Sequence, residues 1–163
     1  MAILLRGKSE CPLCGKIIVE EEAILYTSFT SNAKDPLFMF SDAAVHTACN
    51  RHHKLGEKAM HYSEKAMFLT ARVNRKCVVD QRLITDPDDH VFTCLLTSDE
   101  SEELYDFNFI TINRKNILRY SDRENFILAA LKFNKEGKWG SISNFNFLDY
   151  LLTSFNFNKS FEK

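Results

Sequence analysis

Four residues constrain this chain more than any other feature: the pair Cys11 and Cys14, and the pair His46 and Cys49. Cys11-Pro-Leu-Cys14 puts two thiols on one tight turn, a spacing at which both sulfurs can reach one tetrahedral ion. Gly15 follows directly. Without a Cβ it can take a positive φ, which lets neighbouring backbone N–H groups point at sulfur and support its negative charge. His46 and Cys49 stand three residues apart, on one face if that segment is helical. Three thiolates and one imidazole form a closed set that suits structural zinc, whereas catalytic zinc keeps one position open for water. The expected cofactor is therefore structural Zn2+, held by Cys11, Cys14, His46 and Cys49. His52 and His53 lie close enough in sequence to replace His46 as fourth ligand.

A Cys-x-x-Cys-Gly knuckle followed by a His-x-x-Cys pair resembles the treble-clef zinc fingers, over about residues 11–55. The resemblance implies a knuckle, a β-hairpin and a helix whose first turn brings the last ligands. The gap from residue 15 to residue 45 is long for that family and implies an elaborated hairpin. Treble clefs serve many tasks, so the likeness implies fold and metal but little about function.

The remainder of the chain resembles no family, and its pattern must be read locally. Ile17–Glu22 and Ala23–Phe29 read as the two strands of the hairpin. Ala44 to Arg72 is rich in Ala, Lys, Glu and Met and reads as helix, divided or capped at Gly56. Cys77–Ile84, His90–Thr97 and Leu104–Ile112 are rich in Val, Ile, Phe, Leu and Thr and read as strands. Ser121-Asp-Arg-Glu124 has the form of a capping box, and Phe126, Ala129, Ala130 and Phe133 repeat at helical spacing after it. Ser143 stands ready to cap a last helix that turns Leu148, Leu151, Leu152 and Phe155 inward. The expected fold class is α+β: a treble-clef-like zinc module with a helical extension over residues 1–76, then an antiparallel β meander with two C-terminal helices over 77–163. The two can pack as one domain.

The 5 cysteines do not suit a disulfide framework, since an odd count leaves one unpaired. The first residues show neither the apolar core nor the cleavage site of a secretory leader, and no apolar run approaches membrane-spanning length. A cytoplasmic setting is expected, where closely spaced cysteines point to metal. Cys77 and Cys94, with no nearby ligand-type neighbour, read as inert core thiols.

The formal net charge of −1 hides two opposed regions. From Leu83 to Asn113 run Asp86, Asp88, Asp89, Asp99, Glu100, Glu102, Glu103 and Asp106, with no Lys or Arg. From Ala48 to Arg82, basic residues including Arg51, Lys54, Lys58 and Lys65 outnumber acidic ones. The two regions can neutralise each other in the fold, or one can steer a partner. The preferred reading is a non-catalytic protein-binding module that meets a basic partner through Asp86, Asp88, Asp89, Asp99, Glu100, Glu102 and Glu103, with Tyr105 and Phe107 as exposed aromatic anchors. In size and charge this resembles bacterial immunity proteins and antitoxins that block a basic toxin. The alternative is a nucleic-acid-binding zinc finger using Arg51, Lys54, Lys58 and Lys65 against phosphates. A metal-dependent nuclease of the His-Asn-His type is less favoured, because Ala23–Phe40 lacks the histidine base that such enzymes need.

Overall fold

The structure is a computed structural model that describes residues 3–5, 7–19 and 23–156. It begins with the knuckle. Glu10 bridges Ile17 in antiparallel fashion, and between them Cys11 N donates to Lys16 O at 2.9 Å while Gly15 N donates to Cys11 O at 2.8 Å. Gly15 sits at φ 69°, the left-handed conformation that a turn this tight requires and that glycine adopts without steric penalty.

Strand β1, Ala23–Leu25, pairs antiparallel with β2, Ala44–His46, in the register Ala23↔His46 and Leu25↔Ala44. This corrects two expectations. The partner of the strand at Ala23 is the segment before His46 rather than Ile17–Glu22, of which residues 20–22 lie outside those described. Ala44–His46 is extended rather than helical, and Ala44 and Val45 are buried.

Helix α1, Thr47–His52, follows β2 without a break, and α2 runs over Gly56–Thr70. Gly56 divides them for a reason of space. A Cβ there would lie 2.1 Å from the Asn50 carbonyl oxygen, so only glycine lets α2 start against the end of α1. Ala59, Tyr62, Ser63 and Ala66 form the buried face of α2 at intervals of three and four residues.

The second half departs furthest from the strand-rich expectation. Cys77–Ile84 is a hydrogen-bonded turn, not a strand: Cys77 N donates to Arg82 O at 2.9 Å and Gln81 sits at φ 59°. Within His90–Thr97 only β3, His90–Phe92, is a strand. It pairs with β4, Thr111–Asn113, so a single antiparallel pair stands in place of a meander. Leu104–Ile112 opens as part of a 3-10 turn over Glu103–Phe107, whose buried residues Leu104 and Phe107 are three apart, the period of that helix, and only its end enters β4.

Helices α3, Arg123–Lys135, and α4, Phe147–Asn156, close the chain with the inward faces that the spacing predicts. Their caps differ. Asp122 precedes α3 and makes no side-chain cap, and the Ser121 hydroxyl donates to the Asp122 carboxylate instead. Asn146, not Ser143, caps α4, its side-chain oxygen accepting from Leu148 N at 3.1 Å.

Two apolar cores result. The first joins Ile18, Tyr26, Phe29, Leu37, Phe40, Val45 and Tyr62, together with Leu95 and Phe109 from the second half. The second is built by Val91, Leu96, Ile112, Phe126, Leu148, Leu151 and Phe155, with the Phe126 and Phe155 rings 4.3 Å apart. Leu95 and Leu96 are consecutive yet belong to different cores, because neighbouring side chains of an extended segment point to opposite sides. The chain is redirected there by two non-glycine residues in the left-handed region, Cys94 at φ 52° and Phe109 at φ 62°, which are linked by a 2.7 Å bond from Phe109 N to Cys94 O.

Candidate metal centre

Three separate elements bring the four ligands together. The knuckle presents Cys11 and Cys14, the last residue of β2 is His46, and the first turn of α1 carries Cys49. Antiparallel pairing of β1 with β2 determines where β2 ends, so the hairpin positions His46 and α1 relative to the rest of the module.

The ligand atoms of Cys11, Cys14, His46 and Cys49 all lie within 4.8 Å of one another. His46 Nδ1 is 3.5 Å from Cys14 Sγ and 3.8 Å from Cys49 Sγ. A tetrahedral ion with metal–sulfur bonds of about 2.3 Å and metal–nitrogen bonds of about 2.0–2.1 Å separates S from N by about 3.6 Å. The residues present therefore fit a tetrahedral metal, which the imidazole would hold through Nδ1. Cys11 is fully buried, Cys14 is exposed, and His46 and Cys49 are half-buried, so the cluster lies at the edge of the first core.

The surroundings of Cys11 and Cys49 act on their thiols in opposite directions. Burial opposes ionisation of Cys11. The backbone N–H groups of His46, Leu13 and Cys14 and the His46 ring outweigh it and bring the thiol down to about 7. Cys49 is pushed up to about 11, first by burial and then by its contacts with Cys14 and Cys11. Three sulfurs this close cannot all be anionic without a positive charge among them.

Neither neighbouring histidine competes for the fourth position. His52 Nδ1 bonds the Ala48 carbonyl at 2.7 Å. His53 Nδ1 accepts from Leu55 N at 3.2 Å, and its ring meets Phe40 edge-on at 5.3 Å. Among the described residues no second group of three or more His, Cys, Asp or Glu lies within ligand distance. Cys77 and Cys94 are buried as expected. Cys77 Sγ accepts from Asn113 N at 3.3 Å, and burial pushes the Cys94 thiol up to about 12.

Four carboxylates of the acidic stretch are paired with lysines of the same chain. Asp89 pairs with Lys115 at 2.5 Å, Glu100 with Lys58 at 3.8 Å, Glu102 with Lys138 at 2.6 Å and Glu103 with Lys132 at 2.7 Å. Asp86 accepts from Asp88 N at 3.0 Å in an exposed turn, and Asp99 holds Ser101 at 2.7 Å. Lys115, Lys132 and Lys138 lie beyond the acidic run in sequence, and no local pattern announces that they return to it.

Of the two expected aromatic anchors, Tyr105 is half-buried with its hydroxyl 3.2 Å from that of Tyr62. Phe107 is buried edge-on against Phe126, which corrects its reading as exposed. On the basic side, Lys58 Nζ donates to Ser98 O at 3.0 Å, and Lys65 Nζ sits 4.8 Å over the Phe109 ring. Arg51 and Lys54 are exposed.

Comparison with profiles of protein families, with curated proteins and with solved structures found no match to this chain in any of the three.

Proposed function

We propose that this chain is a zinc-stabilised, non-catalytic protein-binding module. A treble-clef zinc unit within residues 1–76 packs with the remainder, 77–163, to present a surface to a basic partner protein. One observation carries the zinc reading: three sulfurs and one Nδ1 converge from three elements at tetrahedral separations. A full set of protein ligands suits a structural ion rather than one that activates water. The order of knuckle, hairpin and helix supports the treble-clef reading. Three thiol ligands favour a reducing compartment such as the cytoplasm.

Metal analysis of purified protein should give about one zinc per chain, and Cys14→Ser should lower zinc content and melting temperature together, since metal binding is coupled to folding. Retention of fold and melting temperature after chelation would sink the structural role.

The basic residues bear on the partner class. Lys58 and Lys65 are engaged with Glu100 and the Phe109 ring, which leaves Arg51 and Lys54, among the described residues, as the cations of the basic set with no ion pair. This weighs against a phosphate-binding face and for a protein partner, of which a basic toxin met by an immunity protein or antitoxin is one form. Salt-sensitive retention on immobilised heparin or DNA would reverse that order.

A further inference from the structure

Given the protein-binding role proposed above, we propose that the cleft between the Glu103–Phe107 turn and α3 is the contact surface, and that it receives a basic amphipathic segment of a partner protein.

The cleft holds about 460 Å³, within the range of preformed recognition pockets. Its lining includes an apolar floor of the buried residues Phe107, 8% exposed, and Ala129. Its walls carry Asp106, Tyr120, Asp122 and Asn125. The charge here differs from that of the neighbouring acidic residues. Glu100, Glu102 and Glu103 each face a lysine of their own chain. Among the described residues Asp106 and Asp122 form no ion pair, and Asp122 takes its contacts from the Ser121 hydroxyl and the Asn125 amide. Lys132 pairs with Glu103 at this site, and the two remaining carboxylates line the cleft without a basic partner among the described residues.

The rim supplies an independent feature. Leu128 on α3 is 66% exposed, and Leu131, one turn on, is 49% exposed. A helix that buries Phe126, Ala129, Ala130 and Phe133 gains nothing within its own fold from leucines on its outer face. An apolar floor, two exposed leucines and two unneutralised carboxylates together fit one occupant, a segment with arginine or lysine for the cleft and an apolar side chain for the rim. The cleft of about 450 Å³ beside Asn32 and Asp35 offers no such opening, because Lys34 is bound to Gly137 O and Lys138 to Glu102 and Glu136.

The probe is a short synthetic helical peptide with arginine and leucine on one face, titrated into isotope-labelled full chain loaded with zinc. A counterpart with glutamate in place of arginine serves as control. Resonances of Asp106, Tyr120, Asp122, Asn125 and Leu128 should shift saturably with the first peptide and not with the second. The double variant D106N/D122N should weaken binding about tenfold, as should L128S/L131S, whose exposed positions leave the fold intact. D86N/D88N, on the exposed turn, should leave it unchanged.

Shifts that map to the Asp86–Asp88 turn, or affinity untouched by D106N/D122N and L128S/L131S, would overturn the cleft while leaving a protein-binding role standing elsewhere. Absence of saturable binding to the arginine peptide also overturns the cleft. Retention of the chain on heparin then shows whether the wider reading falls with it.

Discussion

At the candidate metal centre the three cysteines differ in what surrounds them. Cys11 is sealed beneath the knuckle and takes backbone N–H groups onto its sulfur, whereas Cys14 faces solvent. Loss of Cys11 therefore removes a core contact as well as a ligand, and Cys14→Ser is the cleaner probe of the metal alone. His90 is a second instructive residue. Its Nε2 is buried without a hydrogen-bond partner among the described residues, and burial followed by the nearby Arg75 charge holds its pKa below the usual 6.5. The unfolded chain thus takes up a proton at this position before the folded one does. Stability should be full above pH 6.5 and fall as pH drops below it toward the lowered folded value. His90→Gln should flatten that slope in denaturant melts between neutral and mildly acid pH; an unchanged slope would assign the effect elsewhere. The four ligands are legible in sequence because each pair is set by local spacing. The state of His90 is not, because it depends on burial and on an arginine fifteen residues away.

At the scale of elements, legibility follows length. Helices α3 and α4 are long enough for several inward residues to repeat, so Phe126, Ala130, Phe133, Leu148 and Leu151 identify them. The strands have three residues each, over which alternation carries almost no signal. Val and Ile in Cys77–Ile84 read as strand by composition, but Asp80 accepts from Arg82 N and Gln81 turns left-handed, and together they close a turn. Gly56 is legible as a divider but not for its cause, which is contact with the carbonyl of Asn50. Gly56→Ala should therefore destabilise the chain by about 1–3 kcal/mol through overpacking, although alanine is the better helix former. A variant as stable as the parent in urea would show that α1 and α2 can separate without loss.

At the scale of the whole molecule, a few polar side chains tie the two halves. Asn32, 1% exposed, uses its full capacity: its amide donates to Leu96 O and Lys138 O at 3.2 Å, and its oxygen accepts from Lys34 N at 3.1 Å and Gly140 N at 3.0 Å. Asp35 reaches Ser98 N at 2.6 Å beside it. Asn32→Asp would set a carboxylate oxygen against two carbonyls, and Asn32→Leu would orphan four backbone groups at about 1–3 kcal/mol each where they stay dry. Either variant should lower the melting temperature by more than Gly56→Ala does, and a smaller loss would mean that water replaces the amide. The charge pattern is likewise a property of the whole fold. The acidic run is visible in sequence, while the lysines that meet it come from α2, the segment after β4, α3 and the loop after α3.

The adjacent leucines at the crossing carry a last consequence. Leu95 cannot leave the first core without dragging on Leu96 in the second, and Leu95 N is also bound to Phe29 O at 2.8 Å. The peptide bond between them is a mechanical link between the knuckle half and the helical half. Chelating the metal at one end should therefore speed amide hydrogen exchange at Val91 and Ile112, not only around Cys11. The ion and the distant aromatic cluster would then report on a single thermodynamic event.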